Sequence, residues 1–324
     1  MPIRGHAGSA GGAVSPPDVT ALRDRSPSHA CAFPGSSNIS GAVLLPAVEY
    51  ACPETIEDAL RLLGENDNAR ALAGGQTLIN VMKARAAAPD VLVDLARIGE
   101  LKEIRATDGG LEIGSMATYA QLIGSSDVNR VRPILAEVAA QIADVQVRNR
   151  GTLGGNICSS DPTNHFPPVL VALGASMTIR GQDGGRTVPA EDFFLGVYMT
   201  AAGPGELLTK VTIPEGGADG FASMTIGRNG TCIVNAAATL NGGAQGLRIA
   251  LGCVSAVPVR ATEMESRLGE GEITAEKARE AASGLGTILD PPADVHASAD
   301  YRRHLAEVLA ARAVLEAAER KAAA

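Results

Sequence analysis

The chain has 324 residues and carries 36 acidic against 28 basic side chains, a formal net charge of −8. It has room for two or three compact units, but no basic run, no tryptophan and only 3% aromatic residues. That composition sets aside neutralising phosphates along a nucleic-acid groove or stacking bases on an aromatic platform. No stretch reaches the roughly 18 apolar residues of a membrane span.

Residues 1–42 are rich in Gly, Ser, Pro and Ala and lack a continuous apolar segment, so they do not read as a secretory signal. Such a composition buries too little surface to offset its ordering entropy. The expectation is a disordered extension, or a start placed too far upstream, with His6 and His29 solvated.

Residues 43–98 form the next unit. VLLPAVEYACP is a short extended segment. PETIEDALRLLGEN predicts a helix with Ile56, Ala59, Leu60 and Leu63 on one apolar face, acidic residues in its first turn and Gly64 at its end. ARALAGG is a strand running into a Gly-Gly pair, Gly74 and Gly75. TLINVMKARAA predicts a helix that buries Leu78, Val81 and Met82, and DVLVDLARI predicts a buried strand. Strand, Gly-Gly, helix is a geometry that presents backbone N–H groups to a phosphate. The spacing AGGQTL is not GxGxxG, and no Walker A motif is present, so a nicotinamide-binding half of the doubly wound kind is disfavoured.

Residues 99–217 change in texture. LKEIRATDGGLEIGSM predicts a hairpin about an Asp-Gly turn. TYAQLIGSSD is a short helix, and PILAEVAAQIADVQV a longer one with Pro133 near its start. RNRGTLGGNICSSDPTNHFPPVLVALGA then sets a second glycine pair, Gly154 and Gly155, between Thr152 and Asn156. A polar turn follows, and Pro167 and Pro168 open an apolar helix. Two Gly-Gly segments in one chain suggest a pyrophosphate held between them; each pair alone also suits an ordinary tight turn. Strands at SMTIRG, after the Gly-Gly turn at QDGG, and at ELLTKVTIP complete the unit.

Residues 218–324 read as strands GFASMTIGRNG, CIVNAAATL and LRIALGCVSAVPVRA joined by Gly-rich turns. They are followed by a helix at TAEKAREAASGLGTI and a long C-terminal helix with Leu305, Val308, Leu309 and Leu315 inward and its charged residues solvated. The five cysteines, Cys31, Cys52, Cys158, Cys232 and Cys253, are scattered without a CxxC. That spacing excludes the usual zinc and iron–sulfur patterns and suggests reduced thiols in a cytoplasmic chain.

In combination these motifs carry a resemblance over residues 43–320. LPAVEY, AGGQTL with VMK, IGSM, TLGGN with PPVLVALGA, ELL, LGCVSAVPVRA and DYRRHLAEVL follow in register. The chain resembles the FAD-binding medium subunits of the molybdenum hydroxylases, the carbon monoxide dehydrogenase and xanthine dehydrogenase type. The resemblance implies an α+β fold: a PCMH-type FAD-binding domain of two α/β subdomains (43–98 and 99–217), then a C-terminal α+β domain (218–324).

By the same resemblance, Ala73, Gly74, Gly75, Gln76, Thr77 and Leu78 match a first pyrophosphate loop. Thr152, Gly154, Gly155 and Asn156 match a second flavin loop. In both, glycine N–H groups are expected to face the pyrophosphate. Ile142 stands beside the flavin, and Leu208 where a backbone group approaches the isoalloxazine edge. The family often has Asp or Glu before the proline of the second loop; here His165 stands there with Asp161 four residues earlier, and either can offer a hydrogen bond, or the imidazole lies at the surface. The Gly227–Asn235 loop matches one that approaches the flavin in relatives, without their tyrosine or acidic pair.

The function implied is electron transfer. The chain carries FAD, a large partner subunit carries the molybdenum cofactor, and a small one carries two [2Fe-2S] clusters. The external acceptor is NAD, oxygen or a quinone, and a dimer of heterotrimers is the assembly in view. No metal ligands are expected in this chain. Three other readings are a self-sufficient PCMH-type flavin oxidoreductase, a non-catalytic nucleotide-binding scaffold and a structural interaction module. The first predicts a covalent flavin anchor, and no histidine lies near AGGQTL; the last leaves both glycine pairs unexplained.

Overall fold

A computed structural model describes residues 45–227, 230–240, 246–269 and 271–323. The expected N-terminal extension, residues 228–229 of the Gly227–Asn235 loop and the Gly-rich turn at 241–245 lie outside the described residues.

The first sheet is parallel. Strands β1 (Glu49–Ala51), β2 (Ala69–Leu72) and β3 (Val91–Asp94) lie in the order β1-β3-β2. Val91, Leu92 and Val93 of the central strand are buried, as a parallel strand covered on both faces requires. Parallel neighbours need crossovers, supplied here by helices α1 (Ile56–Glu65) and α2 (Leu78–Lys83). In α1, Thr55 caps the Asp58 N–H, and Ile56, Ala59, Leu60 and Leu63 are the buried face, as their spacing predicts. Gly64 does not end this helix; it continues through Glu65 to a cap at Asn66. In α2 only Met82 is buried, and Leu78 and Val81 are half-buried.

The second sheet is antiparallel, in the order β4-β5-β10-β6-β7. It comprises β4 (Ile104–Thr107), β5 (Gly110–Gly114), β6 (Ser176–Gly181), β7 (Gly184–Pro189) and β10 (Leu207–Pro214). A small hairpin of β8 (Phe194–Gly196) and β9 (Met199–Thr200) follows the single turn α9 (Ala190–Phe193). Between β5 and β6 the chain runs through short helices: α3 (Tyr119–Gly124), α4 (Ser126–Val131), α5 (Ile134–Gln141), α6 (Val145–Arg150), α7 (Leu153–Ser159) and α8 (Phe166–Leu173).

The single helix expected over 133–147 is therefore two. It breaks where Ala143 takes φ +42. Asp144 accepts the N–H groups of Gln146 and Val147 and so starts α6 afresh. Arg148 donates to the Ile142 and Ala143 carbonyls that the break leaves open. Pro167 and Pro168 occupy the first turn of α8, where their missing N–H groups cost nothing.

The third sheet, β11 (Ala218–Thr225), β12 (Cys232–Leu240), β13 (Leu247–Gly252) and β14 (Val259–Arg260), is antiparallel in sequence order. Helices α10 (Thr262–Leu268), α11 (Ala275–Ala282) and α12 (Ala299–Ala323) accompany it. Gly220 lets α12 approach β11: a Cβ there would lie 2.0 Å from the Ala313 carbonyl oxygen. Leu305 and Leu309 are buried as expected, whereas Val308 and Leu315 are half-buried. The solvated charged face expected of this helix has an exception: Arg302 is 3% exposed and donates to the Ile233 carbonyl and the Asp294 carboxylate. A second buried cation joins the sheets. Arg132, with no exposed surface, donates to both oxygens of Asp219 at 2.7 and 2.9 Å and to the Pro214 carbonyl.

Candidate FAD-binding site

The two glycine pairs meet, although 76 residues lie between Gly75 and Thr152 in sequence. A Cβ placed on Gly74 would fall 2.0 Å from the Arg150 carbonyl oxygen and 2.9 Å from the Gly151 Cα. A Cβ on Gly155 would fall 3.4 Å from that of Ala73. Backbone therefore packs on backbone, a closeness that only residues without a side chain allow.

The two segments use their N–H groups differently. In the first, Gly75 adopts φ +72 and turns the chain from β2 into α2. Gln76 and Thr77 are exposed, and Thr77 makes no capping bond. The Gln76 amide donates to the Gly74 carbonyl, and Asn80 donates to the Gln76 carbonyl. No acceptor among the described residues takes the backbone N–H of Gly75, Gln76 or Thr77. Three successive donors are left beside the contact with the second segment.

The second segment spends its N–H groups internally, contrary to expectation. Gly154 and Gly155 lie in the first turn of α7, not in an open turn. Leu153 N–H donates to Ala117, Gly154 N–H to Ser115, and Gly155 N–H to the Thr152 hydroxyl oxygen at 3.0 Å. Gly154 is a glycine because a Cβ would strike Ser115, 2.5 Å from its Cβ. What this segment has to offer is on its side chains: the Thr152 hydroxyl proton, and the Asn156 Oδ1, which is buried without a partner among the described residues.

The remaining predicted residues differ in burial and in the partners they use. Asn164 ties the polar turn back by donating to the Asn156 carbonyl and the Ser159 hydroxyl. Asp161 uses Oδ1 to accept from the Thr163 N–H and hydroxyl, at 2.9 and 2.8 Å, and so shapes its own turn. His165 is not a surface imidazole. It is 6% exposed, lies 5.5 Å from the Phe221 ring, and its Nε2 has no partner among the described residues. Burial pushes it down to about 4, so it is neutral at neutral pH and able to accept a hydrogen bond. Leu208 is buried in β10 beside Thr209, whose carbonyl takes the Ser115 N–H; Ser115 in turn takes the Gly154 N–H. Ile142, half-buried at the end of α5, is held through Arg148.

Sequence reading missed Ser115 and Arg148. Ser115 sits in the IGSM motif, and its hydroxyl is buried without a partner among the described residues. Its contact with Gly154 joins residues far apart in sequence, which no local pattern reports. Arg148 opens the second segment but acts backward, on the helix break.

Residues 46–216 match the profile of the FAD binding domain in molybdopterin dehydrogenase. The chain belongs to this family. Residues 221–317 of this FAD-binding subunit match the carbon monoxide dehydrogenase flavoprotein C-terminal domain. The subunit is 37% identical over 279 residues to the carbon monoxide dehydrogenase medium chain of Afipia carboxidovorans, covering 84% of this chain and 97% of that one. It is 33% identical over 280 residues to the glyceraldehyde dehydrogenase medium chain of Sulfolobus acidocaldarius, covering 84% and 99%. The solved quinoline 2-oxidoreductase of Pseudomonas putida superposes with a TM-score of 0.81 at 35% identity, covering 85% of this chain and 98% of that one. The subunit is thus an oxidoreductase component with FAD as its cofactor and an FAD-binding domain followed by a C-terminal domain. Free N–H groups over a glycine cradle suit a ligand's phosphates, and the unpartnered polar atoms of Asn156 and His165 suit hydroxyls.

Proposed function

We propose that this chain is the electron-transferring flavin subunit of a heteromeric molybdenum hydroxylase. Electrons released at a large molybdenum-binding subunit reach it through two [2Fe-2S] clusters of a small subunit and leave for an external acceptor. The relatives' names support the assembly, being medium chains or subunits of dehydrogenases. The bound FAD supplies the electron exchange; the chain's residues hold and shield it.

The observation that carries this reading is the contact of the two glycine segments beside three unused N–H groups. In this reading Gly75, Gln76 and Thr77 donate to the diphosphate, with Ala73 and Gly74 shaping the turn and Leu78 closing it. Thr152 adds its hydroxyl proton, and Gly154 and Gly155 give the close approach. Asn156 and neutral His165 accept from ligand hydroxyls, while Asp161 fixes the turn between them. Ile142 and Leu208 keep water from the ring. Subdomain boundaries near 98 and 217 go with the three separate sheets. Among the described residues no helix is long and apolar enough to cross a membrane, and four cysteines are free thiols; we place the subunit in the cytoplasm on the thiols.

The test is an absorption spectrum of the purified full chain, with acid extraction of its chromophore, followed by mixing with a reduced iron–sulfur partner. About one releasable FAD per chain, bleached by the partner and recoloured by an acceptor, is the expected result. A chain that holds no FAD even with its partners, or FAD that the partner never reduces, overturns the reading.

A further inference from the structure

The site described above does not use Cys232 and Cys253. Both are buried, at 2% and 3% exposure. One amide serves both: Asn235 Nδ2 lies 3.3 Å from the Cys232 sulfur and 3.9 Å from the Cys253 sulfur.

Two backbone irregularities create that arrangement. In a regular strand Cys232 and Asn235, three residues apart, would point to opposite faces. The ladder between β11 and β12 slips here: Met224 pairs with Val234 but Thr225 pairs with Cys232, leaving Ile233 as an extra residue. This bulge turns Cys232 to the side of Asn235. On the neighbouring strand Asn235 pairs with Gly252, and the next residue, Cys253, adopts φ +66. A left-handed residue with a side chain is strained, and such strain collects where a side chain must be aimed. Arg302 pins both departures, donating to the Ile233 carbonyl at 2.5 Å and reaching the Cys253 carbonyl at 3.5 Å.

Cys253 also lines a cavity of about 10 Å³ with Ser160, Asp161, Pro167, Pro168 and Gly252. That is room for about one water-sized molecule. The Cys253 thiol is pushed well up by hydrogen bonding with Cys232 and then by burial.

We propose that Cys232 and Cys253 form a reversible dithiol–disulfide site whose co-reactant is hydrogen peroxide. One sulfur attacks the peroxide O–O bond, becoming a sulfenic acid as the other oxygen leaves as water. The second sulfur then displaces the sulfenic oxygen, which also leaves as water, and the S–S bond forms. The thiol pair loses two electrons and two protons, and the peroxide takes up both. The Asn235 amide that faces the sulfurs also reaches the Asn164 carbonyl at 3.3 Å, which joins the pair to the turn before His165.

The test is peroxide treatment of the full folded chain, followed by denaturation, alkylation and peptide mass spectrometry. Exposed Cys158 serves as the internal control for oxidation. The expected result is a Cys232–Cys253 linked peptide, lighter by two hydrogen atoms than the reduced pair and lost after thiol reduction. In Cys232→Ser the link is absent. Full alkylation of both thiols in wild-type protein whose Cys158 has been oxidised overturns the proposal. So does a link that joins either sulfur to a different cysteine. The wild-type result stands whether or not the variant folds.

Discussion

Gly74 and Gly75 are neighbours with different reasons to be glycine. At Gly74 the obstacle is another segment's backbone, since a Cβ would lie 2.0 Å from the Arg150 carbonyl oxygen. At Gly75 the obstacle is conformation: φ is +72, and the nearest atom to a Cβ is the flexible Ile79 side chain at 3.2 Å. Gly74→Ala must therefore push the two segments apart, whereas Gly75→Ala bears a local strain of roughly 1–2 kcal/mol. The expected outcome is that Gly74→Ala purifies without FAD while Gly75→Ala keeps a substantial part of it. Equal FAD content of the two variants, read by acid extraction, would remove the distinction. His165 yields a second prediction. Its folded-state value is about 4 against an ordinary 6.5, because burial disfavours the imidazolium. Between those pH values the unfolded chain binds the proton that the folded one refuses, so stability falls as pH falls from about 6.5 to about 4 and this contribution then levels off. The loss amounts to at most about 3 kcal/mol. His165→Asn should flatten that part of a urea-midpoint profile against pH, and an unchanged wild-type slope in the variant would contradict it.

At the scale of elements, the break between α5 and α6 places the second segment. Asp144 holds two N–H groups of α6, and Arg148, one turn later, closes the carbonyls of Ile142 and Ala143. Asp144→Ala removes the cap and should cost about 1 kcal/mol. Because α6 ends at Arg150, against Gly74, it should also weaken FAD retention more than an equally destabilising change in α11. Denaturant melts paired with FAD titrations of both variants check this. The same break shows what a sequence conceals. The apolar face of α1, the Asp-Gly hairpin of β4 and β5 and the paired prolines of α8 are set by neighbours in the chain, and each is legible. VAAQIADVQV keeps a helical apolar spacing straight through the break, so only the Asp144 cap and the reach of Arg148 reveal it. In the candidate site the glycine pairs and their association were legible. The fate of the Gly154 N–H was not, because its acceptor, Ser115, belongs to a distant strand end. The burial of His165 likewise depends on Phe221, contributed by β11.

For the whole molecule, the question is what joins the glycine-bearing part to the sheet that follows it. Arg132, at the end of α4, meets Asp219 of β11 with no water-exposed surface of its own. Thr239 of β12 donates to the same carboxylate at 2.6 Å. Burial raises Asp219 above the usual carboxylate range, and the attraction of Arg132 offsets this only in part. The pair is therefore better read as fixing how α4 and the third sheet meet than as a large net source of stability. The asymmetry is testable. Arg132→Met strands a buried carboxylate and should cost about 3–5 kcal/mol at neutral pH. The cost should shrink as pH is lowered, since protonation of the stranded Asp219 removes the uncompensated charge. Adding Asp219→Asn to Arg132→Met should recover part of the loss at pH 7, because a neutral amide is cheaper to bury than a carboxylate. Urea denaturation of the two variants at neutral and mildly acidic pH reads both effects. If the double variant is no more stable than Arg132→Met at pH 7, the loss comes from the Pro214 and Glu215 carbonyls that Arg132 also serves, and the ion pair is not what aligns the two parts.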